Sequence, residues 1–113
     1  MVISKELLET FLDSLKNPFM FVDTEHVIRY MNKAAITTFK KGVEHLGESI
    51  FACHNENSCR IIREVFAEMQ EGLEERLITD NDRFRIFMRA VRDSSGKLLG
   101  YYERYEPPVK LQD

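Results

Sequence analysis

The stretch that decides the fold is residues 72–106, GLEERLITDNDRFRIFMRAVRDSSGKLLGYYERYE. Its middle alternates: Phe84, Ile86, Met88 and Ala90 fall on one side of an extended chain, and Arg83, Arg85, Phe87, Arg89 and Val91 on the other. Asp80-Asn81-Asp82 and Asp93-Ser94-Ser95-Gly96 flank that run with short polar side chains that bond to turn backbone. Residues 73–79, 83–92 and 98–105 therefore read as an antiparallel meander. A second extended block, NPFMFVDTEHVIRYMN at residues 17–32, adds strands at 19–22 and 26–31 around Asp23-Thr24-Glu25.

The segments outside these blocks have helical period. Ser4 caps a first helix whose stripe is Leu7, Leu8, Phe11, Leu12 and Leu15, and Asn17-Pro18 ends it. That stripe packs on the chain's own sheet or pairs with the same helix of a second copy. Phe87 and Val91, on the outward side of their strand, need a cover, and this helix is the expected one. Asn32 caps a short helix over 33–39. Residues 40–57, punctuated by Gly42 and Gly47, read as loops and turns fit for a pocket wall. Asn57 or Ser58 then caps a long helix reaching about Gln70 and closed by Gly72, with Ile61, Ile62, Val65, Phe66 and Met69 toward the sheet. The expected core is Phe19, Phe21, Ile28, Ile62, Phe66, Phe84, Ile86 and Met88. Two strands, a helical middle and three strands make an α+β fold with one antiparallel sheet under a helical layer.

Composition narrows the function. A chain of 113 residues, 43% apolar with 8 Phe and 4 Tyr, suffices for one core without disulfides. We divide it into a flanking helix at 1–16, a folded domain at 17–106 and, after Pro107-Pro108, a tail at 107–113. Sixteen Lys and Arg against 19 Asp and Glu give a net charge of -3, which supplies no positive field for nucleic acid. No apolar run has the length of a membrane span and no signal-like segment opens the chain, so the expected setting is cytoplasmic.

FMFVD followed by VIRYMNKAA, then LGESIF before the long helix and VRDSSGKLLGY in the last hairpin, resemble a PAS domain over about residues 17–106. The segment LGESIFACHNENS with IIREVFAEMQEG resembles a bacterial PAS subgroup with a Cys-His pair before the long helix. The resemblance implies a five-stranded antiparallel sheet of order 2-1-5-4-3 and a pocket closed by the helices between strands 2 and 3. It further implies a non-catalytic sensor of small ligands or cofactors that dimerises and is coupled to a signalling output protein. Asp23, Asn32 and Gly47 match the family's turn aspartate, its asparagine after the second strand and its glycine before the irregular stretch. His26 stands where the family usually has glycine.

Cys53, His54 and Cys59 form the one local cluster with soft-ligand chemistry. A structural zinc site wants four such groups, and only His45 is at hand to complete it. The expected reading is a packed loop, with no metal. Haem held by His54, a flavin bonded to Cys53 and a redox thiol are each weaker readings, as is a Cys53–His54 catalytic pair, for which no carboxylate is placed by spacing to orient the imidazole. No phosphate loop or nucleophile elbow is present. The expected ligand-contacting set is Cys53, His54, Ile62, Phe66, Phe84, Ile86 and Met88, with the ligand itself unassigned. The alternative is a homodimerisation module whose cavity is filled by its own side chains.

Overall fold

The computed structural model describes residues 1–39 and 41–109. Five strands, β1 (Phe19–Asp23), β2 (Ile28–Met31), β3 (Glu75–Asp80), β4 (Arg85–Arg92) and β5 (Leu98–Glu106), form one antiparallel sheet of order β2-β1-β5-β4-β3. This is the α+β architecture and strand order that the resemblance implies. Three α-helices, α1 (Lys5–Asp13), α2 (Lys33–Thr38) and α3 (Glu56–Gln70), and two 3₁₀ helices, Gly42–His45 and Ile50–Cys53, are the other elements among the described residues.

Capping side chains set the helix starts. The Ser4 hydroxyl accepts from the Leu7 N–H, and the Asn32 carbonyl oxygen accepts from the Ala35 N–H at 2.9 Å. The long helix starts earlier than its sequence suggests: Asn55, not Asn57 or Ser58, is the cap, its Oδ1 accepting from the Ser58 N–H at 2.8 Å. The tandem of polar residues offers three candidate caps, and the turn that Asn55 closes takes the first. At the other end Gly72, with φ +115°, lets its own N–H reach the Met69 carbonyl and the Leu73 N–H reach Glu68.

The register of the central strand assigns the sheet's faces. Met20 and Met88 flank Glu103, and Val22 and Ala90 flank Tyr101, so these side chains share the face toward α3. Met88, Val22 and Tyr101 are fully buried there with Ile28, Ile50, Ile62, Val65 and Met69. Phe19 and Phe21 are a correction to the expected core: they occupy the opposite face, where Phe19 stacks on Tyr102 at 4.5 Å. Phe-Met-Phe-Val is apolar at both parities, so its alternation names no inner face until pairing with β5 chooses one. Phe66, Phe84 and Ile86 are only partly buried.

Helix α1 is also corrected within the chain. It meets the sheet at the β2 edge, where the Tyr30 hydroxyl donates to Asp13 at 2.8 Å and the Lys33 N–H donates to the same carboxylate. Strand order puts β4 beyond β1 and β5 from that edge, and α1 makes no hydrogen bond to β4 among the described residues. The Arg104 guanidinium lies 4.4 Å over the Phe87 ring, held there by Glu75 and Glu106 at 2.8 Å each. The apolar stripe of α1 divides, with Leu7 and Leu12 half-buried and Leu8 51% and Phe11 61% exposed.

Candidate functional site

Among the described residues, a larger and a smaller cavity on the helical side of the sheet bear on the site. The larger, about 380 Å³, is floored by Met20 of β1, Ile28 of β2 and Tyr105 of β5, and Phe39 stands beside it. Its remaining wall comes from the irregular stretch after α2: Lys41, His45, Glu48, Ala52, Cys53 and His54. The smaller, about 150 Å³, lies between α3 (Ser58, Ile61, Ile62) and the strands (Ile78, Ile86, Glu103). His54 and Tyr105 border both, so these two side chains form the partition.

Of the expected ligand-contacting residues, Cys53 and His54 border the larger cavity and His54, Ile62 and Ile86 the smaller. Phe66, Phe84 and Met88 border neither. Met88 is fully buried between strands β3 and β5, Phe84 packs its ring edge-to-face on Tyr105 at 5.2 Å, and Phe66 packs on His26 at 4.6 Å. Strand alternation selects a face, but where along that face the cavity opens depends on the loop after α2. Lys40, the first residue of that predicted irregular stretch, lies outside the described residues, as do residues 110–113 of the predicted tail.

His54 is fixed by its own turn. Its Nδ1 sits 2.8 Å from the Ile50 carbonyl and 3.2 Å from the Cys53 sulfur, and a carbonyl can only accept, so Nδ1 carries the proton. The Cys53 contact, aided by Glu103 and Ile50 and opposed by burial, pushes the imidazole up to about 9. The sulfur of Cys59 is turned toward the Phe51 and His54 carbonyls, which leaves Cys53 as the exposed thiol. Among the described residues no three His, Cys, Asp or Glu side chains are grouped to hold a metal.

Three further features shape the site, and the sequence reading marked only the third, His26. Glu103, 1% exposed, sits between Met20 and Met88 in the register, and burial pushes its carboxyl up while His54 opposes the shift. Among the described residues nothing hydrogen-bonds that carboxyl, whose only signal was a charge at an inward parity of β5. The Nδ1 of His45 is buried at the larger cavity without a hydrogen-bond partner, Glu48 lying 3.8 Å away. His26 accepts the cost of the left-handed region, with φ +65°, roughly 1–2 kcal/mol for a residue with a Cβ. Its ring bonds Tyr101 at 2.9 Å and packs between Phe51 and Phe66, tying the β1–β2 turn to α3 and β5. Burial, then the nearby Arg63, lowers its pKa and keeps this imidazole neutral.

His54 and Glu103, both raised, favour their protonated forms in the folded state. Their contribution is complete below the ordinary carboxylate and imidazole values and is lost as pH rises toward about 9, the value reached by His54. Glu103→Gln removes the carboxyl part, in which desolvation dominates. The variant is expected to melt above the wild type at about pH 8 and to match it near about pH 4, by calorimetry across that range. A lower melting point at both values would contradict the assignment.

No curated protein matches the chain. Among solved structures it is similar to a C-terminal domain from Streptococcus mutans, at 21% identity and TM-score 0.79, covering 93% of this chain and 85% of that one. It is also similar to the PAS domain of a Colwellia psychrerythraea protein (11%, 0.70, covering 90% and 94%) and to a sensory box sensor histidine kinase from Vibrio cholerae (14%, 0.64, covering 96% and 93%). No helix of the described residues is long and apolar enough to cross a membrane. The family model of the PAS domain, a non-catalytic sensory module, matches residues 8–106, and with the β2-β1-β5-β4-β3 sheet and its pocket-closing helices this chain belongs to the PAS domain family.

Proposed function

We propose that the chain is a sensory module that binds a small ligand in the larger cavity and passes the event to a signalling output protein. The observation that carries this reading is the cavity itself. Its volume lies within the range of small-molecule sites, and its mostly apolar wall carries a few convergent polar groups. The side-chain-filled alternative is disfavoured by that open volume. The Cys53–His54 pair, which the sequence likens to a PAS subgroup, stands at the partition, where a ligand would displace or extend its bonds. A thermal-shift screen of metabolites against the whole chain tests the reading. Stabilising hits should also move the methyl resonances of Met20 and Ile28. Hits that move only surface residues would contradict it.

The same module is proposed to dimerise through α1. Leu8 and Phe11 are exposed on one stripe, while Leu12 is half-buried and its carbonyl accepts from Asn32 within the chain. Phe11→Glu therefore tests the interface without touching the monomer's own packing. Sedimentation equilibrium should show a wild-type dimer and a variant whose dissociation constant rises by about tenfold or more, since a carboxylate would be desolvated in the contact. A folded variant that dimerises as the wild type does would contradict the proposal, as would a wild-type monomer at high micromolar concentration.

A further inference from the structure

The chemistry of the larger cavity narrows the ligand, an inference that rests on the ligand-binding reading above. Three nitrogen side chains line its wall. His54 does so from the end of the second 3₁₀ helix, with Nδ1 committed to the Ile50 carbonyl and no partner for Nε2 among the described residues. His45 does so from the first, its Nδ1 buried and without a hydrogen bond. Lys41 is exposed at the rim. The opposing charge on this wall is Glu48, whose side chain is 47% exposed and whose oxygen stays 3.8 Å from His45, beyond hydrogen-bonding distance. Glu103 lies on the far side of the partition, in the smaller cavity. The floor is Met20, Ile28 and Tyr105 with Phe39 beside it, and its polar side-chain groups are the Tyr105 hydroxyl and the weakly accepting Met20 thioether.

We propose that the larger cavity receives a small monocarboxylate with an apolar body, its carboxylate held by His45, His54 and Lys41 and its body by Met20, Ile28 and Phe39. A carboxylate supplies an acceptor to a histidine ring, His45, that makes no hydrogen bond among the described residues, and its charge is taken by the half-buried His54 and the exposed Lys41. A cationic ligand would bring a like charge against His54, whose imidazole is held protonated at neutral pH. A neutral amide would satisfy a donor and leave the charge uncompensated.

The probes are butyrate, isovalerate and phenylacetate, each beside its matched primary amine and carboxamide, titrated into the whole chain and read on the Met20 and Ile28 methyl resonances. Carboxylates are expected to move both methyls to saturation, at least about tenfold more tightly than the matched amine or amide. His54→Gln and His45→Gln should each weaken that binding by about tenfold or more. His45→Gln keeps the proposal testable if the His54 turn fails to fold. Equal or tighter binding of an amine or amide at the same methyls would overturn the carboxylate and leave the ligand-binding reading standing. Undiminished carboxylate binding in His45→Gln, or wild-type methyls that no carboxylate moves, would overturn it as well, and the metabolite screen then judges the broader reading separately.

Discussion

Asn32→Ala is expected to lower the unfolding free energy by about 3–5 kcal/mol, a large share of the roughly 5–15 kcal/mol that holds a typical domain. The side chain is fully buried and uses both ends. Its Oδ1 accepts from the Phe19 N–H at 3.0 Å and the Ala35 N–H at 2.9 Å, and its Nδ2 donates to the Leu12 and Asn17 carbonyls at 3.2 and 3.0 Å. One residue thus joins the end of α1, the start of β1 and the start of α2. Truncation removes a helix cap and orphans a strand donor and two carbonyls together, each buried group costing about 1–3 kcal/mol when left unmet. Asn32→Asp, which retains the Oδ1 acceptor but turns an oxygen on two carbonyls, should be comparably destabilising. Urea unfolding measures both. A loss under about 1 kcal/mol in either variant would mean that water replaces these bonds.

Gly100→Ala is expected to cost about 3 kcal/mol or more. Gly100 lies in the central strand with φ +152°, paired with Asp23 and Val91. A Cβ there would overlap the Val22 carbonyl oxygen and come within 2.9 Å of the Phe21 ring and 3.0 Å of the Asp23 backbone. Backbone cannot yield as a flexible side chain does, so β1 and β5 would have to part. Gly96→Ala is the control: it also has positive φ, at +89°, but nothing lies within 4 Å of the added carbon. It should cost only the conformational strain, about 1 kcal/mol. Equal melting points for the two variants would contradict the close approach at Gly100.

The turns were legible because their chemistry is local. Asp23 accepts from the Glu25 and Val27 N–H groups, Asp93 accepts from Ser95 and Lys97, and Asn32 caps α2, each through a side chain reaching a few residues along its own chain. The faces of β4 were legible because arginines mark one parity. Those of β1 were not, because both parities of Phe-Met-Phe-Val are apolar and only pairing with β5 decides between them. The site was legible in its wall more than in its floor. Residues 40–57 lack a hydrophobic period and so had to be irregular, whereas Glu103 and Tyr105 acquire meaning only when β5 is laid between β1 and β4. His26 carried its signal in the sequence, as a residue with a Cβ where the family usually has glycine. A turn that calls for positive φ and holds an imidazole instead of glycine must gain something from the ring, here its contacts with Tyr101, Phe51 and Phe66.

Native mass spectrometry of the whole chain, purified without denaturation and compared with its denatured mass, tests the sensory reading most directly. The account predicts that the protein incubated with a small-molecule extract carries one added mass per chain. That mass should be released on denaturation and lost when His54→Gln alters the partition. A chain that retains its bare mass across extracts, while the same extracts leave the Met20 and Ile28 methyls unmoved, would contradict a ligand site in the larger cavity.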